Sequence, residues 1–330
     1  MTISDHMTLS TFQAPIKEDL ERFRRSYRNA LESGLFLIDR VVAYLTRSHG
    51  KGLRPTLTLL SARLGSDRIS EDAIRAAVIM ELLHEATLVH DDVVDEAPER
   101  RGLPSLAARF KNKVSVLFGD YMLAKVLTET LGARNLIWLD ILADTARRMA
   151  RGELIQAARS KRLDLTEEDY LDMIGDKTAA LFSACCRMGG LCGGLAENCI
   201  QALGKYGEAF GIAFQIRDDM LDLFGDDRLI GKPVGGDLKE RKLTLPILRA
   251  LKQVSPREAR RIRARIRRGI KFREINYIRD FVRDQGGDIY AEQVMREQSE
   301  IALRVLQAAP SSPIRELMEK LVEFAIQRRR

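Results

Sequence analysis

The 330-residue chain is 45% hydrophobic and 31% charged, a globular balance with enough apolar material for a sizeable core. Every long apolar stretch is broken by charge well before about 18 residues, so no membrane span is expected. The net charge of +7 invites an anionic partner, but no nucleic acid is expected, because the basic excess sits beside a regular apolar stripe described below.

In chain order, the N-terminus "MTISDHMTLS" lacks a signal-peptide pattern, which points to a cytoplasmic protein. A loop "SHGKGLRP" follows, with Lys51 and Arg54. "EDAIRAAVIMELLHEATLVHDDVVDE" then shows helical period in Ile74, Val78 and Leu82 and ends in three aspartates, Asp91, Asp92 and Asp95. "EAPERRGLPS" reads as a loop carrying Arg100 and Arg101. "LIWLDILADTARRMARGELIQAA" is helical. "LTEEDYLDMIGDKTAALFSACC" opens with Thr166 and Asp169 spaced as a capping box and carries Lys177 and Thr178. Cys185, Cys186, Cys192 and Cys199 form no Cys-x-x-Cys pair and have no nearby histidine, so free thiols in a reducing compartment are expected. "TLPILRALKQ" has Pro246 in its first turn. In "PREARRIRARIRRGIKFRE", Ile262, Ile266 and Ile270 recur every four residues, the mark of a helix with a solvated arginine face. Strand patterns and linkers are missing. The expected fold is all-α, a single bundle of ten or more helices in one domain, residues 1–330.

Asp218, Asp219 and Asp222 in "FQIRDDMLDLFGDD" repeat the D-D-x-x-D spacing of Asp91, Asp92 and Asp95. Residues four apart share a helix face, so each cluster presents a carboxylate pair. Two such helices facing each other offer an oxygen-only ligand set, suited to Mg²⁺ bridging to substrate phosphates. Direct cations for a diphosphate are at hand in Lys51, Arg54, Arg100, Arg101, Lys177, Lys232 and Lys242, with the Thr178 hydroxyl. No Ser-His-Asp set, cysteine nucleophile or P-loop is present, so the chemistry suggested is electrostatic, with charge absorbed on a leaving diphosphate.

The sequence resembles the trans-type polyprenyl diphosphate synthases, from roughly residue 20 onward. "LLHEATLVHDDVVDEAPERRG" and "FQIRDDMLDLFGDD" with "GKPVGGDLKERKLTLPIL" are similar to the family's two aspartate-rich motifs, and "GKGLRP", "GDYMLAK" and "DKTAAL" to further blocks. The resemblance implies the isoprenoid-synthase fold around a central cavity. It implies that both Asp clusters hold Mg²⁺ on an allylic diphosphate, assisted by Arg100, Lys177, Thr178, Gln215 and Lys232. It places isopentenyl diphosphate in a metal-free pocket of Lys51, Arg54, His84 and Arg101, and it implies a homodimer. For that dimer the small residues of "GGLCGGLA", Gly189 to Ala196, would permit close helix contact. Release of a lipid product implies peripheral contact with a membrane. One departure is visible: Gly52 stands where the family usually has arginine.

Product length is read from the same helix. Thr87 and Leu83 lie one and two turns below Asp91, with Ala86 beside them. Short-product members resemble one another in having an aromatic residue four or five before the first aspartate. Thr87 and Ala86 are small, so a long product of about six to ten isoprene units is expected by analogy. Trp138, the only tryptophan, is either the tunnel floor or ordinary core. The rival readings are a short-chain synthase, a terpene cyclase, and a catalytically silent subunit that binds a partner synthase.

Overall fold

The computed structural model describes residues 8–47, 50–160, 162–225, 234–270 and 272–328. It is an array of α-helices: α1 (Leu9–Gln13), α2 (Lys17–Leu31), α3 (Phe36–Leu45), α4 (Leu53–Arg63), α5 (Glu71–Val94), α6 (Leu106–Phe110), α7 (Asn112–Gly132) and α8 (Leu136–Ser160). α9 (Glu167–Ile174) runs without a break through a π-helical segment, Gly175–Ala179, into α10 (Ala180–Cys192). Then come α11 (Glu197–Phe224), α12 (Gly236–Lys239), α13 (Leu245–Gln253), α14 (Pro256–Arg267), α15 (Phe272–Asp284), α16 (Gly287–Leu306) and α17 (Pro313–Gln327). The segment read as the loop "EAPERRGLPS" contains a small antiparallel hairpin, Glu99–Arg100 with Leu103–Pro104. Its turn residues Arg101 and Gly102 both have positive φ, 53° and 76°, as a tight hairpin of this hand needs.

Local signals explain the boundaries. Ser70 caps α5 by accepting from the Ala73 N–H, and Glu71 and Asp72 sit favourably in its first turn. Thr166 and Asp169 form the reciprocal capping box of α9, and Pro246 lies in the first turn of α13. Gly52 precedes α4 with φ +69°, a left-handed conformation that would strain an arginine, which explains the departure seen at this position. α5 is buried on nearly every side, Ala73, Ala76, Ala77, Ile79 and Met80 as well as the stripe of Ile74, Val78 and Leu82. It is therefore the central helix rather than a surface one.

Two apolar clusters share α11. Leu203, Tyr206 and Phe210 pack with α2, α4, α5, α7 and α10; Ala213, Ile216 and Met220 pack with α9 and α13 to α16. Ile262, Ile266 and Ile270 belong to the second cluster, leaving the arginines around them outward. Gly189 and Gly193 face inward against α4, which corrects the expectation that they serve a partner. A Cβ on Gly189 would lie 2.1 Å from the Thr58 carbonyl oxygen of α4, and one on Gly193 2.5 Å from that of Ala62. Gly189→Ala should thus lower stability by about 1–3 kcal/mol through overpacking; an unmoved denaturant midpoint would contradict the close α4–α10 approach.

Candidate active site

A cavity of about 1390 Å³ opens between α4, α5, α8, α10, α11 and α17. Asp91, Asp95 and Asp218 line it, so the ends of α5 and α11 bring the two aspartate clusters to one space. Within each cluster the aspartates differ. Asp92 is buried and paired with Arg100, Nε to Oδ1 2.6 Å, and Asp222 accepts from the backbone N–H groups of Gly236 and Asp237, both at 3.1 Å. Asp219, also buried, accepts from Tyr170 Oη at 2.7 Å and Gln215 Nε2 at 2.8 Å. The paired faces expected at i and i+4 therefore hold for Asp91 and Asp95, whereas Asp222 turns from the main cavity to cap α12.

Each of the three cavity aspartates has a resident cation. Lys177 Nζ lies 3.8 Å from Asp91 Oδ2, and Lys242 Nζ 3.3 Å from Asp95 Oδ2. Arg328 places Nη2 2.6 Å from Asp218 Oδ1, with its guanidinium 3.7 Å from the centre of the Phe214 ring. Burial raises the carboxyls of Asp91 and Asp218 despite these cations, and pushes that of Asp219 up to about 7. Buried acids that burial alone disfavours as anions gain from added positive charge, and an all-oxygen set suits a hard divalent cation. Among the described residues no three acidic, His or Cys side chains converge closely enough to enclose a metal alone. Water and substrate phosphate must then supply further oxygens, as is usual for Mg²⁺.

A second basic group gathers around His84. Arg54 Nη1 lies 2.9 Å from His84 Nε2, and its guanidinium sits 4.7 Å from the Phe182 ring centre. Arg101, in its left-handed turn conformation, reaches Glu85 Oε1 at 2.8 Å, and Lys51 lines the same cavity. Burial, then Arg54, Arg101 and Arg100, holds the His84 ring well below its usual range, so it is neutral.

Of the expected residues, Lys51, Arg54, His84, Arg100, Arg101, Lys177, Thr178, Gln215 and Lys242 all line the cavity, and Thr178 Oγ1 donates to Gln215 Oε1 at 2.9 Å. Lys232 lies outside the described residues. Leu83 and Thr87 face the cavity. Ala86 and Trp138 do not: both are buried in the surrounding core, so Trp138 is core packing and the deeper wall is instead Leu83, Leu123, Ala146 and Met149. Sequence reasoning passed over Glu81, Glu153, Gln156 and Arg328. Glu153 and Gln156, three apart on α8, both reach Lys177 Nζ, at 2.5 and 3.3 Å. Their spacing in "GELIQ" was a usable signal; Arg328 was hidden in an arginine run.

The Polyprenyl synthetase family model matches residues 36–282. The octaprenyl diphosphate synthase of Escherichia coli (strain K12) is 33% identical over 325 residues, covering 98% of this chain and 100% of the relative. Two crystal structures superpose closely. A decaprenyl diphosphate synthase from Rhodobacter capsulatus has a TM-score of 0.92 at 35% identity, covering 98% and 100% of the two chains. A polyprenyl synthase from Caulobacter crescentus CB15, complexed with calcium and isoprenyl diphosphate, has 0.91 at 32%, covering 98% of each. In an NMR titration resolved for His84, the ring should stay neutral until well below pH 6.5; a midpoint at or above 6.5 would contradict the buried setting between arginines.

Proposed function

The chain belongs to the polyprenyl synthetase family and is a prenyltransferase, and from that premise we propose that it extends an allylic diphosphate with isopentenyl diphosphate, head to tail, into a long trans-polyprenyl diphosphate. The observation that carries this reading is one cavity whose lining joins the aspartates with two sets of basic side chains, Lys177, Lys242 and Arg100 in one and Lys51, Arg54 and Arg101 around His84 in the other, over a large apolar space. Two diphosphates need two such groups, which a terpene cyclase does not. Both aspartate clusters are intact, which disfavours a silent subunit.

Lys177, Thr178, Gln215, Arg100 and Lys242 hold the allylic diphosphate beside Asp91, Asp95 and Asp218. The bound cation would be Mg²⁺, held by these aspartates, and it supplies Lewis-acid withdrawal of electrons from the departing group. Lys177 and Lys242 meet the charge that develops on the leaving diphosphate. Arg54, Arg101, Lys51 and neutral His84 fix the second diphosphate, so its five-carbon double bond faces the allylic carbon. Because His84 is uncharged, it contributes a hydrogen bond rather than a competing positive charge beside Arg54.

Product length follows from the space below. At about 1390 Å³ the cavity exceeds ordinary small-molecule sites of roughly 300–1,000 Å³. The α5 side of its wall presents Leu83 and Thr87 rather than an aromatic side chain, and this supports a long product of about six to ten isoprene units.

A homodimer completes this picture. Val94 and Leu154 line the cavity yet are 73% and 71% exposed, so the wall is unfinished there. Leu127 and Leu131 on α7, and Leu136 and Ile137 at the start of α8, are apolar and more than half exposed. A second copy closing over α7 and α8 would bury them. Peripheral membrane contact at product release accords with the absence, among the described residues, of any helix long and apolar enough to cross a bilayer.

Incubation with radiolabelled isopentenyl diphosphate, farnesyl diphosphate and Mg²⁺, with products sized by reverse-phase chromatography, should give a ladder ending well above four isoprene units. Thr87→Phe should shorten that ladder while keeping incorporation; a wild-type stop at three or four units would overturn the long-chain assignment. For the dimer, Leu131→Glu should convert the species seen by sedimentation to monomer, and an unchanged mass would exclude the α7–α8 face.

A further inference from the structure

Lys177 and Thr178 sit on the π-helical segment Gly175–Ala179, where the Ala180 N–H reaches back to the Gly175 carbonyl. A π-bulge inserts one residue into a helix and is less stable than regular α, so it persists only where its surroundings hold it. Here the surroundings are unusually specific. Asp176, between Gly175 and Lys177, is 5% exposed. Arg148 of α8 donates Nε to Asp176 Oδ1 at 2.8 Å and Nη2 to the Gly175 carbonyl at 3.2 Å. The same guanidinium forks onto Glu208 of α11, Nη1 to Oε2 at 3.0 Å and Nη2 to Oε1 at 2.5 Å. Arg151 Nε lies 2.9 Å from the other Asp176 oxygen. Hydrogen bonding to Glu208 raises Arg148 above its ordinary range against the opposing effect of burial. α8 also presses on the bulge by backbone: a Cβ on Gly152 would lie 2.7 Å from the Lys177 nitrogen.

We propose that Arg148, bridging Asp176 and Glu208, is a positioning unit that holds the bulge and thereby aims Lys177 and Thr178 at the allylic diphosphate. Without the bulge, the residues on its two sides would shift by one position, about 100° of helix rotation. Lys177 and Thr178 would then leave the register in which both now face the cavity. None of Arg148, Asp176 and Glu208 lines the cavity, so they act through Lys177 and Thr178 and not on substrate. The proposal rests on the reading of Lys177 as a diphosphate ligand given above.

The test is a kinetic cycle on the full-length enzyme with farnesyl and isopentenyl diphosphates and Mg²⁺, using Asp176→Asn, Lys177→Ala and the double variant. Lys177→Ala alone tests the underlying reading: if kcat/KM for the allylic substrate does not fall, Lys177 is no ligand and the reading itself fails. Asp176→Asn should lower kcat/KM for the allylic substrate about tenfold, with KM for isopentenyl diphosphate within about twofold of wild type. In the Lys177→Ala background its further effect should shrink to about threefold or less, because the two residues act as one unit. The same factor with and without Lys177, or equal losses for both substrates, would overturn the positioning role and leave only a structural one. Should Asp176→Asn fail to fold by circular dichroism, Glu208→Gln, which removes one carboxylate from the Arg148 fork, is judged by the same criteria.

Discussion

Everything in this molecule is arranged around the cost of burying like charges. Asp91, Asp95 and Asp218 lie on the walls of one large cavity, where burial disfavours their charged forms, and each is met by a cation from elsewhere in the chain: Lys177, Lys242 and Arg328. Those three cations come from the π-bulge, from the loop after α12 and from the segment after α17. The helical array therefore has to deliver distant positive groups to the two aspartate-bearing helices. In this setting a bound metal complements the aspartates and a diphosphate complements the basic side chains of the wall.

The middle aspartates show how the repeated motif divides its labour. Asp92 orients Arg100, and Asp219 is fixed between Tyr170 and Gln215, so neither is free to rotate into the cavity as placed here. Their neighbours Asp91 and Asp218 face the open space. One carboxylate in each pair faces the ligand, and the next braces groups beside it. A braced neighbour reduces the rotamer freedom that ligand binding would otherwise have to remove.

Much of this was legible in the chain. The helical periods, the capping box at Thr166, the Asp spacing and the cationic loops all depend on local chemistry, and local chemistry is written in order along the sequence. The inward face of Asp91 and Asp95 followed from i, i+4 geometry, and Lys51, Arg54, His84 and Arg101 came together in one cavity. What was not legible depends on tertiary contact. Ala86 read as a tunnel residue from its position beside Thr87, and Trp138 was open between tunnel floor and core, but which side chains meet the cavity is set by the helices packed around them, and both are buried in the core. Asp222 shares the spacing of Asp95 and yet caps a short helix, α12, whose first residue lies 14 positions further along the chain. Gly189 read as a contact for another chain, whereas the carbonyl it meets belongs to Thr58, some 130 residues earlier. The π-bulge has no local signature, because it is held by an arginine from another helix.

The cavity wall also draws on both ends of the chain. Its lining begins at Leu9 and ends at Arg328, so groups more than three hundred positions apart must meet before the space is enclosed. α5 packs against α4 and α10, whereas α17 packs against α1, α4, α11 and α16. α17 contributes Leu321, Phe324 and Ala325 to that lining, so a chain without it would present the apolar hollow to water as a sticky surface.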